Sequence, residues 1–147
     1  MNTKKFMVIL FLISSLLVIS SCDRTDKVKH PSVNQLADNI EKIENVEKAY
    51  GEYRAFDLII EVSVSDEFDV EKNGEKILNL AKKYLDTDAM EEMRKEQKEE
   101  YPLDVAIYIR DKDGKILTDI EGSRYEDHKR SRAPDYDEYV WKLSKWK

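Results

Sequence analysis

The sequence predicts an α+β domain of two layers. It consists of an antiparallel four-stranded sheet with helices on one face, in the order α-β-β-α-β-β-α, behind an N-terminal signal helix that is cleaved off. Three observations lead there. Apolar residues alternate with polar ones in two pairs of segments, as half-buried strands require. Three other segments repeat their apolar residues at the three-and-four spacing of a helix. Asp113-Gly114 separates the last two alternating segments, where a tight hairpin turn needs positive φ.

The elements follow in order. Ser32 and Gln35 fit a capping box, in which each side chain reaches an unpaired amide of the first turn. Val33, Leu36, Ile40 and Ile43 follow at helical spacing with Ala37 beside them, which predicts a helix over 32–44. The period then changes. Residues 46–53 (VEKAYGEY) read as a strand weakened by Gly51. Phe56, Leu58, Ile60, Val62 and Val64 alternate as its hairpin partner, through a turn at Arg54-Ala55. Val70, Ile77, Leu80, Ala81, Tyr84 and Leu85 line a second helix over 69–85, capped by Asp69. Residues 89–100 continue as a polar helix in which only Met90 and Met93 are apolar, and Pro102 ends it. Leu103, Val105, Ile107 and Ile109 alternate strictly, and Ile116, Thr118 and Ile120 return beyond the turn. Residues 123–134 (SRYEDHKRSRAP) form a charged loop. Tyr136, Tyr139, Val140, Leu143 and Trp146 are spaced for a short C-terminal helix.

The chain has 147 residues, with Lys+Arg 25, Asp+Glu 31, a net charge of -6 and one cysteine. That length suits a single domain, expected over 32–147. A lone cysteine excludes an internal disulfide and a multi-thiolate zinc site. Net negative charge argues against nucleic acid as a partner, because displacing counterions needs positive charge. No G-x-S-x-G, Walker A or G-x-G-x-x-G motif is present, and four glycines leave little for phosphate-cradling loops.

The N-terminus is an address. Lys4 and Lys5 precede an apolar run from Phe6 to Ile19, and no acid appears before Asp23. The run is about 14 residues, shorter than the roughly 20 of a transmembrane helix, which favours a secretory signal over a retained anchor helix. It closes on Ile19-Ser20-Ser21-Cys22: an aliphatic residue, two small residues, then cysteine. This pattern resembles the lipobox of bacterial lipoproteins, and the resemblance covers residues 1–22. It implies a signal peptide over 1–21, recognised by a dedicated peptidase through Ile19, Ser20 and Ser21. It also implies a diacylglyceryl group on the sulfur of Cys22. The alternative is an ordinary signal peptide that ends near a cysteine.

Two acyl chains anchor stably where one binds only marginally. Cleavage takes away Lys4 and Lys5 and no acid, so the remainder is more acidic than the whole chain. Residues 22–31 then carry the lipidated cysteine and a charged tether, Asp23 to His30, that reaches at most roughly 27 Å. Asp23 resembles the inner-membrane retention signal of double-membrane bacteria, and would mean nothing in a single-membrane one. Over residues 33–64, the Ile40…Ile43…Val46…Ala49 run into a hydrophobic hairpin loosely resembles two groups. One is the small envelope and spore lipoproteins of Bacillus-type bacteria; the other is the small lipid-binding modules of envelope proteins. Neither implies a residue role.

Beyond the leader no catalytic constellation stands out, and no metal or cofactor is expected. His30 and His128 fall in the tether and the charged loop without an i,i+4 partner, and read as surface residues. Asp111-x-Asp113-Gly114 lacks the EF-hand spacing and reads as a β-turn. Asp86, Asp88, Glu91 and Glu92 cluster at a helix break, where a solvated helix start stands against a divalent-cation site. Arg124, Lys129, Arg130 and Arg132 concentrate positive charge in one loop; with Lys142, Lys145 and Lys147 they are candidate contacts to an anionic surface. Trp141 and Trp146 beside those lysines suit either an interfacial helix or aromatics docked on the sheet, which a small domain needs for buried area.

The expected function is that of a lipoprotein of the bacterial cell membrane, lipid-anchored and facing outside the cytoplasm. Its domain would be a noncatalytic binding or interaction module of the cell envelope. Its partners would be the membrane, through the lipid, and an envelope protein. The alternatives are a structural component of spore or envelope assembly, and a small carboxylate-based enzyme around Asp135, Tyr136 and Asp137.

Overall fold

The computed structural model describes residues 26–127 and 133–144. Its elements are β1 (Asp26–Lys27), α1 (Pro31–Ile40), β2 (Val46–Arg54), β3 (Asp57–Val64), α2 (Val70–Tyr84), α3 (Thr87–Glu96), β4 (Asp104–Arg110), β5 (Ile116–Ser123) and β6 (Val140–Leu143). All six strands join one sheet, and their spatial order is their chain order.

The sheet is mixed and six-stranded, which corrects the expected antiparallel four-stranded one. Both expected hairpins, β2–β3 and β4–β5, are antiparallel, but they meet through a parallel β3–β4 pair running from Asp57↔Asp104 to Ser63↔Arg110. A parallel pair needs a long crossover, and α2 and α3 together supply it. The reason for the join is burial. β3 is the most apolar strand: Leu58, Ile60, Val62 and Val64 are buried on one face and Ile59 on the other, so a central place suits it.

The second correction is at the C-terminus, where the described residues form strand β6 rather than a helix. The segment fits both periods over so short a run. As a strand it pairs with the free edge of β5, from Ile120↔Leu143 to Ser123↔Val140, and sends Trp141 and Leu143 toward the core. The segment expected as a tether also contributes: Asp26–Lys27 pair with β2, and Val28 is buried and donates to the Gly51 carbonyl at 3.0 Å.

The cap of α1 lies two residues before the Ser32 that the capping box suggested, and the helix starts at Pro31. His30 is the N-cap, its Nδ1 accepting from the Ser32 amide at 3.3 Å, and Pro31 fills the first helical position. His30 is therefore buried rather than a surface residue, and its Nε2 lies 3.3 Å from Glu92 Oε2 of α3. α1 stops at Ile40, and Asn45 turns the chain into β2 with φ 66. The core fills the space between sheet and helices. Leu36 and Ile40 come from α1, Ile77 from α2, Met90 and Met93 from α3, and Ile60, Ile107 and Ile120 from the sheet.

Two inward-facing glycines set how close the layers come. A Cβ on Gly51 would collide with Val33 Cγ1, so α1 rests directly on the β2 backbone. A Cβ on Gly122 would lie 2.8 Å from the Trp141 ring, which therefore lies flat over β5.

Candidate functional site on the open sheet face

The alternation that sends Gly51, Ile60, Ile107 and Ile120 to the core sends their neighbours to the other face. These are Tyr50, Glu52 and Arg54 on β2, Ile59 and Glu61 on β3, and Ala106, Tyr108 and Arg110 on β4. Asp119 and Glu121 on β5 and Lys142 on β6 complete it. Glu52, Ile59 and Glu61 are nonetheless buried, because long side chains lie over them.

Glu61 is the centre of this layer. Its Oε1 accepts from Arg54 Nη2 at 2.9 Å and its Oε2 from Arg110 Nε at 2.8 Å. Arg54 also forms an ion pair with Glu52. Arg110 Nη1 donates to the Gly114 carbonyl at 3.0 Å, and its guanidinium stands 5.3 Å from the Tyr108 ring centroid. Charge-assisted bonds of this kind hold side chains in place, so the face is a patterned, preorganised surface.

Toward the β2–β3 turn the face opens into a shallow concavity of about 520 Å³. Ile59 and Ala106 form its floor, Phe56 and Tyr108 its walls, and Asp57, Asp104 and Glu121 its rim. Ser123 Oγ donates to Asp104 Oδ1 at 2.6 Å. Burial, then the charges of Asp119, Glu121, Asp57 and Glu61, push the Tyr108 phenol up. Three carboxylates thus stand beside Phe56, Ile59 and Tyr108 at this concavity.

Sequence reading missed Glu61, Arg54 and Arg110. One signal was present: Glu61 is the charge in the middle of the most apolar strand. Its partners were hidden, because Arg110 reaches it only through the parallel β3–β4 pairing.

Of the residues singled out from sequence, Ile19, Ser20, Ser21, Cys22, His128, Lys129, Arg130, Arg132, Lys145 and Lys147 lie outside the described residues. Arg124 closes the base of its loop. Its Nε donates to the Tyr136 carbonyl at 2.9 Å, and its own carbonyl accepts from the amides of Asp135 and Tyr136. Lys142 is exposed on β6, paired in register with Glu121. Asp135 Oδ2 accepts from the Glu126 amide at 3.0 Å. Asp137 lines a separate open concavity beside Asp86 and Asp88.

The acidic group at the helix break is divided among structural tasks. Asp86 caps α3 by accepting from the Ala89 amide at 2.9 Å, and Glu92 meets His30. Glu91 accepts from Arg94 Nε at 2.9 Å, and that bond outweighs burial to hold its carboxyl below the usual range. Among the described residues no group of three or more His, Cys, Asp or Glu is placed to hold a metal, and no helix is long and apolar enough to cross a membrane. No protein-family model, curated protein or solved structure matches the chain.

Proposed function

We propose that this protein is a lipoprotein held at the outer side of a bacterial cell membrane through Cys22. Its α+β domain is a noncatalytic binding or interaction module of the cell envelope. The observation that carries the anchor is Ile19-Ser20-Ser21-Cys22 at the end of a leader with Lys4 and Lys5 before its apolar run. The sulfur takes the lipid as a nucleophile, and the small residues before it let the backbone enter a narrow peptidase site.

Binding is favoured over turnover by the work the carboxylates already do. Asp69 and Asp86 cap helices, Glu61 holds two arginines, and Glu91 and Glu92 hold Arg94 and His30. Each is committed to a structural partner, whereas a general acid must keep a proton facing its substrate. The open sheet face, with Tyr50 and Tyr108 set among fixed arginines, is the surface offered to a partner.

Fatty-acid labelling in the native cell tests the anchor. Cys22→Ala is expected to abolish the label and leave the precursor uncleaved; a normally labelled mutant would refute the lipid anchor. A photo-crosslinker at Tyr108 tests the module and is expected to capture an envelope partner. Substrate turnover by the purified chain would overturn the noncatalytic reading.

A further inference from the structure

One end of the sheet gathers the entry of the chain and its exposed apolar side chains. The β2–β3 turn, the start of β4, the end of β5 and the start of β6 share this end. The register sets Asp57 beside Asp104, Val105 beside Gly122 and Ser123 beside Val140. β1 arrives there too. Asp26 lies opposite Tyr53 and the strand runs antiparallel to β2, so the chain enters from the side of the β2–β3 turn.

Among the described residues, the exposed large hydrophobic side chains are Phe56 at 57%, Val140 at 40% and Tyr136 at 37%. Phe56 sits in the β2–β3 turn and Val140 opens β6. Tyr136 is tied by its amide to the Arg124 carbonyl just past β5. All three therefore belong to the same end. Phe56 and Val140 stand three strand spacings apart, roughly 14 Å. The opposite end, at the β4–β5 turn, exposes Lys112, Asp113 and Lys115 instead.

We propose that this end of the domain rests on the lipid surface, with Phe56, Tyr136 and Val140 seated at the level of the headgroups. The proposal rests on the anchored-lipoprotein reading and deepens it. The four-residue step from Cys22 to Asp26 spans at most about 14 Å, so the entry end cannot stand far from the bilayer that holds the lipid. The bilayer is thus the surface these side chains meet first, and aromatic and aliphatic groups partition into its interfacial layer. The open sheet face then stands upright from the membrane, reachable from the side.

The test uses the full-length chain, lipidated in a bacterial host and reconstituted in phosphatidylethanolamine–phosphatidylglycerol vesicles. Once Cys22 carries lipid, an introduced cysteine is the one free thiol. A polarity-sensitive fluorophore is placed in turn at Phe56→Cys, Val140→Cys and Asp113→Cys, and doxyl-labelled lipids quench it. Quenching is expected to be several-fold stronger at 56 and 140 than at 113. Equal quenching at the three sites, or stronger quenching at 113, overturns the orientation. Weak quenching at 56 and 140 with concentration-dependent self-quenching also overturns it, and shows a second copy covering this end. Mass analysis of the N-terminal fragment separates the two levels. Absence of lipid on Cys22 removes both readings, whereas lipid present with the wrong quenching order removes the orientation alone.

Discussion

At the scale of single residues, the open face and the core make opposite use of polar groups. Tyr53 points inward from β2, and its hydroxyl is buried. Burial first, then the charge of Glu96, push its phenol up to about 12, while the Gln97 side chain pulls slightly the other way. Its folded pKa is above its unfolded value, so its contribution to stability is complete below about pH 10 and is lost as pH climbs through about 12. Urea unfolding across that range should show stability falling by about 1–2 kcal/mol from this group, after allowance for solvent screening. Tyr53→Phe should remove that part of the slope.

Glu61 offers the complementary test. Glu61→Gln keeps the shape and removes the charge that two guanidiniums share. Arg110 is 30% exposed and can turn back to water, so a cost of about 1–2 kcal/mol is expected in urea unfolding, below that of a fully buried pair. Arg110→Met should cost less, and the double mutant should fall short of the sum.

At the scale of elements, the tightest joint is α1 on β2. Gly51→Ala would drive a methyl into Val33 Cγ1, and is expected to destabilise by about 1–3 kcal/mol. Val33→Ala in the same chain should recover part of that loss, which chemical denaturation can measure. β6 is held by several separate ties: Tyr139 Oη donates to the Leu103 carbonyl at 2.6 Å, Thr118 Oγ1 to the Ser144 carbonyl at 2.7 Å, and Trp141 covers Gly122. Gly122→Val should displace Trp141 and loosen the strand. The expected sign is a red-shifted tryptophan emission together with faster proteolysis near Tyr139.

These elements also show what was legible. The β2–β3 and β4–β5 hairpins could be read from alternation, and α2 from its spacing and the Asp69 cap, because each is a local pattern. β6 could not. Tyr139, Trp141 and Leu143 alternate, yet Tyr136, Tyr139, Val140 and Leu143 also fit a helix. The open edge of β5, remote in sequence, selects the strand. The cap of α1 is a local feature, since His30 Nδ1 accepts from the Ser32 amide two positions on; only the burial of His30 and its contact with Glu92, sixty-two positions away, depend on the folded chain.

At the scale of the whole molecule, the proposed anchor at Cys22 precedes Asp26, where the described residues begin, by four positions. The lipobox-like residues Ile19-Ser20-Ser21-Cys22 are contiguous, so that pattern is legible without any tertiary contact. The orientation proposed above could not be argued from net charge. Its grounds are the register of β1 and the gathering of Phe56, Tyr136 and Val140 at one end. The basic residues chosen from sequence pointed to an anionic surface, whereas the concavity beside the β2–β3 turn carries Asp57, Asp104 and Glu121 on its rim. The proposed partner face and the proposed membrane-facing end therefore adjoin, and Phe56 belongs to both.

By itself the sequence determined the hairpins, the principal helices, the apolar core positions and the pattern that ends in Cys22. Each depends on side chains within a few residues of one another. Only the tertiary structure decided the parallel β3–β4 join, the strand nature of β6, the burial of His30 and the Glu61 network. Those depend on which edges meet, and edge pairing is selected by burying β3 at the centre rather than by any local propensity.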